Sequence, residues 1–364
     1  MSSKPGILSD RAIGTLFGTD RLKSEVMLDH DQIQPASLDL RLGGKAIRVR
    51  ASFMPGRGHT VADKLERLTL HEIDLENGAV LETGCVYIVP LMESLDLPAE
   101  ISASANPKSS TGRLDIFTRV MVDYAQEFDK VPAGYKGPLY LEISPRTFPI
   151  IVRRGSRLSQ IRFRVGHALL GESELLDLHR ADTLVASDMP NVSGGGIALS
   201  IDLKGSGPQG LIGYRGKHHT SVIDVDLKGA HEVLDFWEPL YSRGADELIL
   251  DPDEFYILVS NEAVHVPPLY AAEMTPYDPL VGEFRVHYAG FFDPGFGYAG
   301  AGGKGARAVL EVRSREVPFI LEHGQIVGRL VYERMLERPD ALYGQRIGSN
   351  YQAQGLKLSK HFRV

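Results

Sequence analysis

VLETGCVYIVPLMESLDLPAEISASANP, residues 80–107, returns as LILDPDEFYILVSNEAVHVPPLYAAEMTP, residues 248–276, and this recurrence decides the architecture. Tyr87 and Tyr256, Glu93 and Glu262, Pro98 and Pro267, and Pro107 and Pro276 each stand 169 positions apart. The same offset joins Glu142 to Glu311, Pro149 to Pro318 and Gly155 to Gly324, beyond a region that aligns only with gaps. A register kept over that distance points to gene duplication, and hence to two tandem homologous units. Each copy reads as short strands, CVYIVPL, LYLEIS and PIIVRRG in the first and EFYILVS, AVLEVRS and PFILEHG in the second, punctuated by Gly, Pro and Asp. Helical periodicity is scarce and clearest over Ser9–Phe17, where Ser9 or Asp10 can cap and Ile13, Leu16 and Phe17 share a face. The expected fold is all-β, two compact barrel-like or sandwich-like units with a few short helices. Copy one is expected over 1–165, a polar, Gly-rich connecting segment with some strand of its own over 166–234, and copy two over 235–364.

The chain has 364 residues, 43% of them hydrophobic, enough for two domains with their own cores. Forty Lys and Arg stand against 47 Asp and Glu, a net charge of −7, so no broad basic field is available to hold a nucleic acid. A small anionic ligand needs only a local basic pocket and stays open. The single cysteine, Cys85, excludes an intrachain disulfide framework and a multi-cysteine zinc site. The opening MSSKPGILSDRAIG lacks a signal-peptide apolar core, and no run of about 18 apolar residues occurs. The expectation is a cytoplasmic protein with no membrane partner.

The copies differ in two places. Copy one carries NPKSSTGR, Asn106–Arg113, in which Lys108 and Arg113 offer charged donors, Ser109 and Ser110 hydroxyls, and Gly112 close backbone approach. That composition suits phosphate oxygens, and it also suits a solvated turn. At the same offset copy two reads TPYDPLVG, Thr275–Gly282, without these groups. Copy two carries HYAGFFDPGFG, His287–Gly297, a hairpin able to show main-chain groups to a base edge while a Phe packs on a sugar, or else to bury its aromatics in the core. The counterpart in copy one, VDYAQEFDKVPAGYKG, Val122–Gly137, lacks the DPG turn. Glu142 and Glu311 sit on apolar strands, where a carboxylate is either a general base with a raised pKa or an outward-facing group on a half-buried strand.

These motifs resemble the dCTP deaminase family of the dUTPase-like superfamily, in its long form with two copies in one chain. ILSDRAIGTLF and QIQPASLDLRLGGK resemble the family's opening helix and first strand, and PKSSTGR its phosphate and catalytic-water loop. HYAGFFDPGFG followed by VLE resembles its base-reading hairpin and catalytic strand, RRGSRLSQIRF its late nucleotide-holding motif, and SNYQAQGLKLS its closing tail. The resemblance covers most of both copies and implies two dUTPase-like units, β-clip or distorted barrel, with the site formed between them and a homo-oligomeric assembly. It also accounts for the reciprocal loss, since one complete loop and one complete hairpin suffice.

The resemblance implies hydrolysis of dCTP to dUTP and ammonia for pyrimidine deoxynucleotide supply. Glu311 would activate a water held by Ser109 and Arg113, with Glu142 as the alternative base. Lys108, Ser110, Arg157, Gln160, Tyr351 and Gln354 would bind the triphosphate, with Mg²⁺ carried on phosphate oxygens. His287, Ala289, Gly290, Phe291, Phe292 and Asp293 would meet base and sugar, and dUTP or dTTP could enter the same site. Zinc-dependent cytidine deaminases need a His or Cys and a Pro-Cys-x-x-Cys pair, which one cysteine cannot supply. Asp293 keeps a second reading open, a dUTPase or a bifunctional enzyme giving dUMP. A third reading is a non-catalytic nucleotide-binding regulator.

Overall fold

The computed structural model describes residues 4–363 apart from 187–189, 208, 243, 245, 277–283, 288–289, 300–304, 315 and 345–354. The side chains of Pro276 and of 284–287 also lie outside the description.

The sequence repeat has a counterpart in the hydrogen-bonding order. In copy one a sheet runs Lys130–Val131, Ile101–Pro107, Ser159–Val165, Ser37–Leu40, Ile33–Gln34. In copy two the matching order is Phe291–Phe292, Tyr270–Pro276, Ile326–Arg334, Gly196–Ser200, Val192–Ser193. The second sheet of copy one runs Ile116–Val122, Lys136–Pro145, Val86–Asp96, Lys45–Val49, Thr69–Asp74. Its match is Phe284–His287, Ala306–Ser314, Phe255–Val264, Leu211–Gly216, Trp237–Tyr241. The expected all-β arrangement is therefore present, with five strands of each sheet matched in order, and copy one adds Gly6–Ile7 to its first sheet and Leu22–Ser24 to its second.

The stretch 166–234 does more than connect. Its strands Gly196–Ser200 and Leu211–Gly216 take the sheet positions of Ser37–Leu40 and Lys45–Val49, so the second unit begins well before residue 235. Several of its glycines, Gly196, Gly205 and Gly213 among them, serve close packing. A Cβ on Gly213 would stand 2.4 Å from the Leu258 side chain and 2.7 Å from the Ile257 carbonyl oxygen. Another part of the stretch crosses over, with Ile223–Asp224 adding a parallel strand to Ile150–Val152 of copy one.

The expected N-terminal helix spans Asp10–Gly18, with the Ser9 hydroxyl accepting from the Ala12 N–H at 3.2 Å and Ile13 and Leu16 buried. Two helices that the sequence reading did not place, Val61–Leu68 and Glu172–Ala181, carry their own N-terminal signals, Thr60 with Asp63 and Glu174 bonded to the Gly171 N–H.

The units share apolar packing. Phe236, Trp237, Phe255, Ile257, Val309, Leu358 and Phe362 of the second half pack into the core of copy one. Trp237 is fully buried, edge-on to Phe148 at 5.2 Å and to Phe362 at 5.9 Å. At about 25 cal/mol per Å² of apolar area, a seam of this kind holds the halves in one orientation. That orientation sets the site between them.

Candidate active site

The strand Ile101–Pro107 delivers NPKSSTGR to the seam. Ser109–Gly112 winds into one helical turn, with the Thr111 and Gly112 N–H groups donating to the Lys108 carbonyl at 2.8 and 3.0 Å. Ser110, Thr111, Gly112 and Arg113 are buried, which rules out the solvated turn. The C-terminal segment packs on this turn: the Ser359 hydroxyl donates to the Ser110 carbonyl at 2.8 Å, and Arg113 Nη1 to the Lys357 carbonyl at 3.0 Å.

From copy two, the strand Ala306–Ser314 points Glu311 at the same turn. Arg113 Nε and Glu311 Oε1 are 4.0 Å apart, with the two side chains 4% and 6% exposed. Burial pushes the Glu311 carboxyl up to about 8, although the Arg113 charge opposes the rise.

Glu142, the alternative base, has a different setting. Arg119 faces it across the strand pair and donates from Nε at 2.9 Å and Nη2 at 2.5 Å, and the guanidinium lies 3.6 Å from the Phe128 ring. In copy two the residue facing the glutamate is His287. One substitution in the facing strand thus ties up the carboxylate of copy one, and Glu142 does not line the seam cavity.

A cavity of about 320 Å³ brings together Lys108, Ser109, Ser110, Arg113, Arg157 and Gln160 of copy one with Gly290, Phe291, Phe292, Asp293 and Glu311 of copy two. The hairpin is held from the other unit by Arg162, which is fully buried. Arg162 donates to the carbonyls of Ala272 at 3.0 Å and Phe292 at 3.4 Å and to Asp293 Oδ1 at 3.1 Å, and it lies 4.0 Å from the Phe291 ring. Burial raises the Asp293 pKa against that charge. The Gly290 carbonyl accepts from the Met274 N–H at 3.1 Å. Asp29 and Asp31 bind Arg157, the latter at 2.9 Å, and Asp39 binds Lys108.

Ala289, Tyr351 and Gln354 lie outside the described residues, as does the side chain of His287. Arg162 stands inside RRGSRLSQIRF, but the sequence reading gave it no role of its own although its signal was there. In SQIRFRV, alternation puts Gln160, Arg162 and Arg164 on one face of a strand. Lys228 and Lys360 also line the cavity and had no such signal. Among the described residues, no three His, Cys, Asp or Glu side chains are grouped to hold a metal ion. His218, one of a histidine pair, is exposed and bonded to Glu254 at 2.8 Å. No described helix is long and apolar enough to cross a membrane.

Residues 4–167 match the 2′-deoxycytidine 5′-triphosphate deaminase N-terminal domain, and residues 171–362 match its C-terminal domain. A crystal structure of 2′-deoxycytidine 5′-triphosphate deaminase from Agrobacterium tumefaciens is 79% identical, with a TM-score of 0.90 over 94% of this chain and 99% of that one. A dCTP deaminase of Halorubrum lacusprofundi is 31% identical over 160 residues, 43% of this chain and 76% of that protein. A dUMP-forming dCTP deaminase of Methanosphaera stadtmanae is 29% identical over 162 residues, 43% of this chain and 78% of that protein. Those two relatives align with less than half of this chain yet over three quarters of themselves. With both of its halves matched and its fold shared, the chain belongs to the dCTP deaminase family, a family of deaminating hydrolases.

Proposed function

We propose that the protein hydrolyses dCTP to dUTP and ammonia, with Glu311 as general base. The observation that carries this is a buried carboxyl lining the cavity 4.0 Å from Arg113 across the two halves, with burial pushing its pKa up to about 8. Ser109 and Arg113 hold a water, and Glu311 takes its proton as the oxygen attacks cytosine C4. The proton passes to N3. Glu311 then moves the remaining hydroxyl proton to the exocyclic nitrogen, which leaves as ammonia while the C4 carbonyl forms. A base with a pKa near the working pH suits this double duty, since it must both accept and return a proton.

Lys108, Ser110, Arg157 and Gln160 bind the triphosphate, with Tyr351 and Gln354 added from the tail. Main-chain groups at Ala289 and Gly290 read the base edge, with His287 alongside, and Phe291 and Phe292 crowd the place of a ribose 2′-hydroxyl. Asp31 and Asp39 are already engaged by Arg157 and Lys108, which fits Mg²⁺ entering on phosphate oxygens. One chain supplies both halves of the site, and the homo-oligomer implied by the resemblance would repeat it.

A second reading, dUMP formation, draws on Asp293, which lines the cavity, and on the dUMP-forming relative. Incubation with dCTP and Mg²⁺, following ammonia, dUTP, dUMP and pyrophosphate, separates them. Ammonia with dUTP supports the proposal. Pyrophosphate with dUMP replaces it by the bifunctional reading, and binding without ammonia leaves a regulator.

A further inference from the structure

Three lysines from three separate segments meet on the cavity wall: Lys108 from the first copy's turn, Lys228 from the crossover stretch, and Lys360 from the C-terminal segment. The last two segments are joined to one another. The N–H groups of Gly229 and Ala230 donate to the carbonyls of Lys360 and His361 at 3.0 and 2.9 Å, and the Arg363 N–H donates to the His231 carbonyl at 2.9 Å. Phe362 is buried 5.5 Å from the Phe236 ring, and the His361 ring bonds the Val225 carbonyl at 2.9 Å. The end of the chain is thereby fixed to the body, which positions Lys360 on the cavity wall.

We propose that Lys228 and Lys360, with Lys108, form a receptor for the outermost phosphate and give the site its preference for a triphosphate over shorter phosphate chains. The inference rests on the deaminase reading for the identity of the nucleotide. Burial, then the Lys108 and Lys228 charges, bring the Lys360 ammonium down to about 8, while Asp39 and Asp226 oppose the fall. Crowding of cations is unfavourable by itself and is relieved by a multiply charged anion between them. Lys228 comes from the stretch that opens the second unit and crosses to the first, so the receptor draws on both halves of the chain.

The test compares K228A, K360A, K360R and the double alanine variant on dCTP and dCDP, with binding of inorganic tripolyphosphate measured by calorimetry. K360A should lower kcat/KM for dCTP about tenfold or more, through KM, with the effect on dCDP under about threefold. K360R should keep most of the preference, and the double variant should weaken tripolyphosphate binding at least about tenfold. Equal losses on dCTP and dCDP, or unchanged tripolyphosphate affinity in the double variant, would overturn the proposal. If the unmodified protein releases no ammonia from dCTP, the deaminase reading fails alone, because the tripolyphosphate measurement still reports on the lysines.

Discussion

Arg313, two residues beyond Glu311 on its strand, donates to the carboxylate of Asp115, two residues beyond Arg113 in the first copy. Thr147 closes the contact, bonding Asp115 at 2.6 Å and accepting from Arg313 at 3.1 Å. The same two-residue step therefore separates a pair that joins the halves from the pair that lines the cavity. Asp115 is 1% exposed and Arg313 8% exposed, so removing one charge strands the other. Arg313→Met should cost about 3–5 kcal/mol in denaturant unfolding and lower kcat with it. Adding Asp115→Asn should recover part of the stability, and a single variant as stable and active as the parent would show that the pair fixes nothing.

The glutamates should separate cleanly. Glu311→Gln should reduce ammonia release by about a thousandfold or more while dCTP binding stays within severalfold. Glu142→Gln should keep most of the turnover and lose about 1–3 kcal/mol of stability, because it weakens the Arg119 contact in a buried setting. Activity surviving in Glu311→Gln but not in Glu142→Gln would reverse the assignment.

Catalysis should follow the ionisation of Glu311. The free protein holds this carboxyl mostly protonated at neutral pH, so kcat/KM for dCTP should climb with pH and level off above about 8. A flat profile from pH 6 to 9 would exclude Glu311 as the base with this pKa.

Stability should carry the opposite signature. The carboxyl ionises near 4.5 when exposed and near 8 in the fold, so unfolding releases its proton across that window. The stability tied to the neutral form is complete below about 4.5 and disappears as pH rises to about 8. Glu311→Gln should therefore gain unfolding free energy relative to the parent from pH 5 to 8, on the order of a few kcal/mol, with no further gain above. A constant difference across that range would place the carboxyl at its ordinary pKa.

Arg162→Met tests the hold on the hairpin. Its guanidinium is the link between the first copy's strand and Asp293, Phe292 and Phe291 of the second. Stability should fall by about 3 kcal/mol or more, and KM for dCTP should rise with the loosened base pocket. An unchanged KM would place Arg162 outside the positioning of the site.

Much of the fold was legible because strands leave local signals and the repeat keeps their spacing. Tyr87 and Tyr256 keep the 169-residue step in the sequence and equivalent strands in the sheets. Gly196–Ser200 and Leu211–Gly216 were less legible, since glycine-rich segments become strands only through the neighbours that pair with them.

The site divides in the same way. The sequence by itself determined the two complementary halves, a loop rich in charged and hydroxyl groups in one copy and a compact hairpin with its glutamate in the other. Tertiary structure decided which glutamate faces Arg113, that Arg119 engages the other, and that Arg162 reaches Asp293 across 131 residues. The reason is range: a motif's composition is fixed within a few residues, whereas ion pairing and burial depend on groups that only folding brings together.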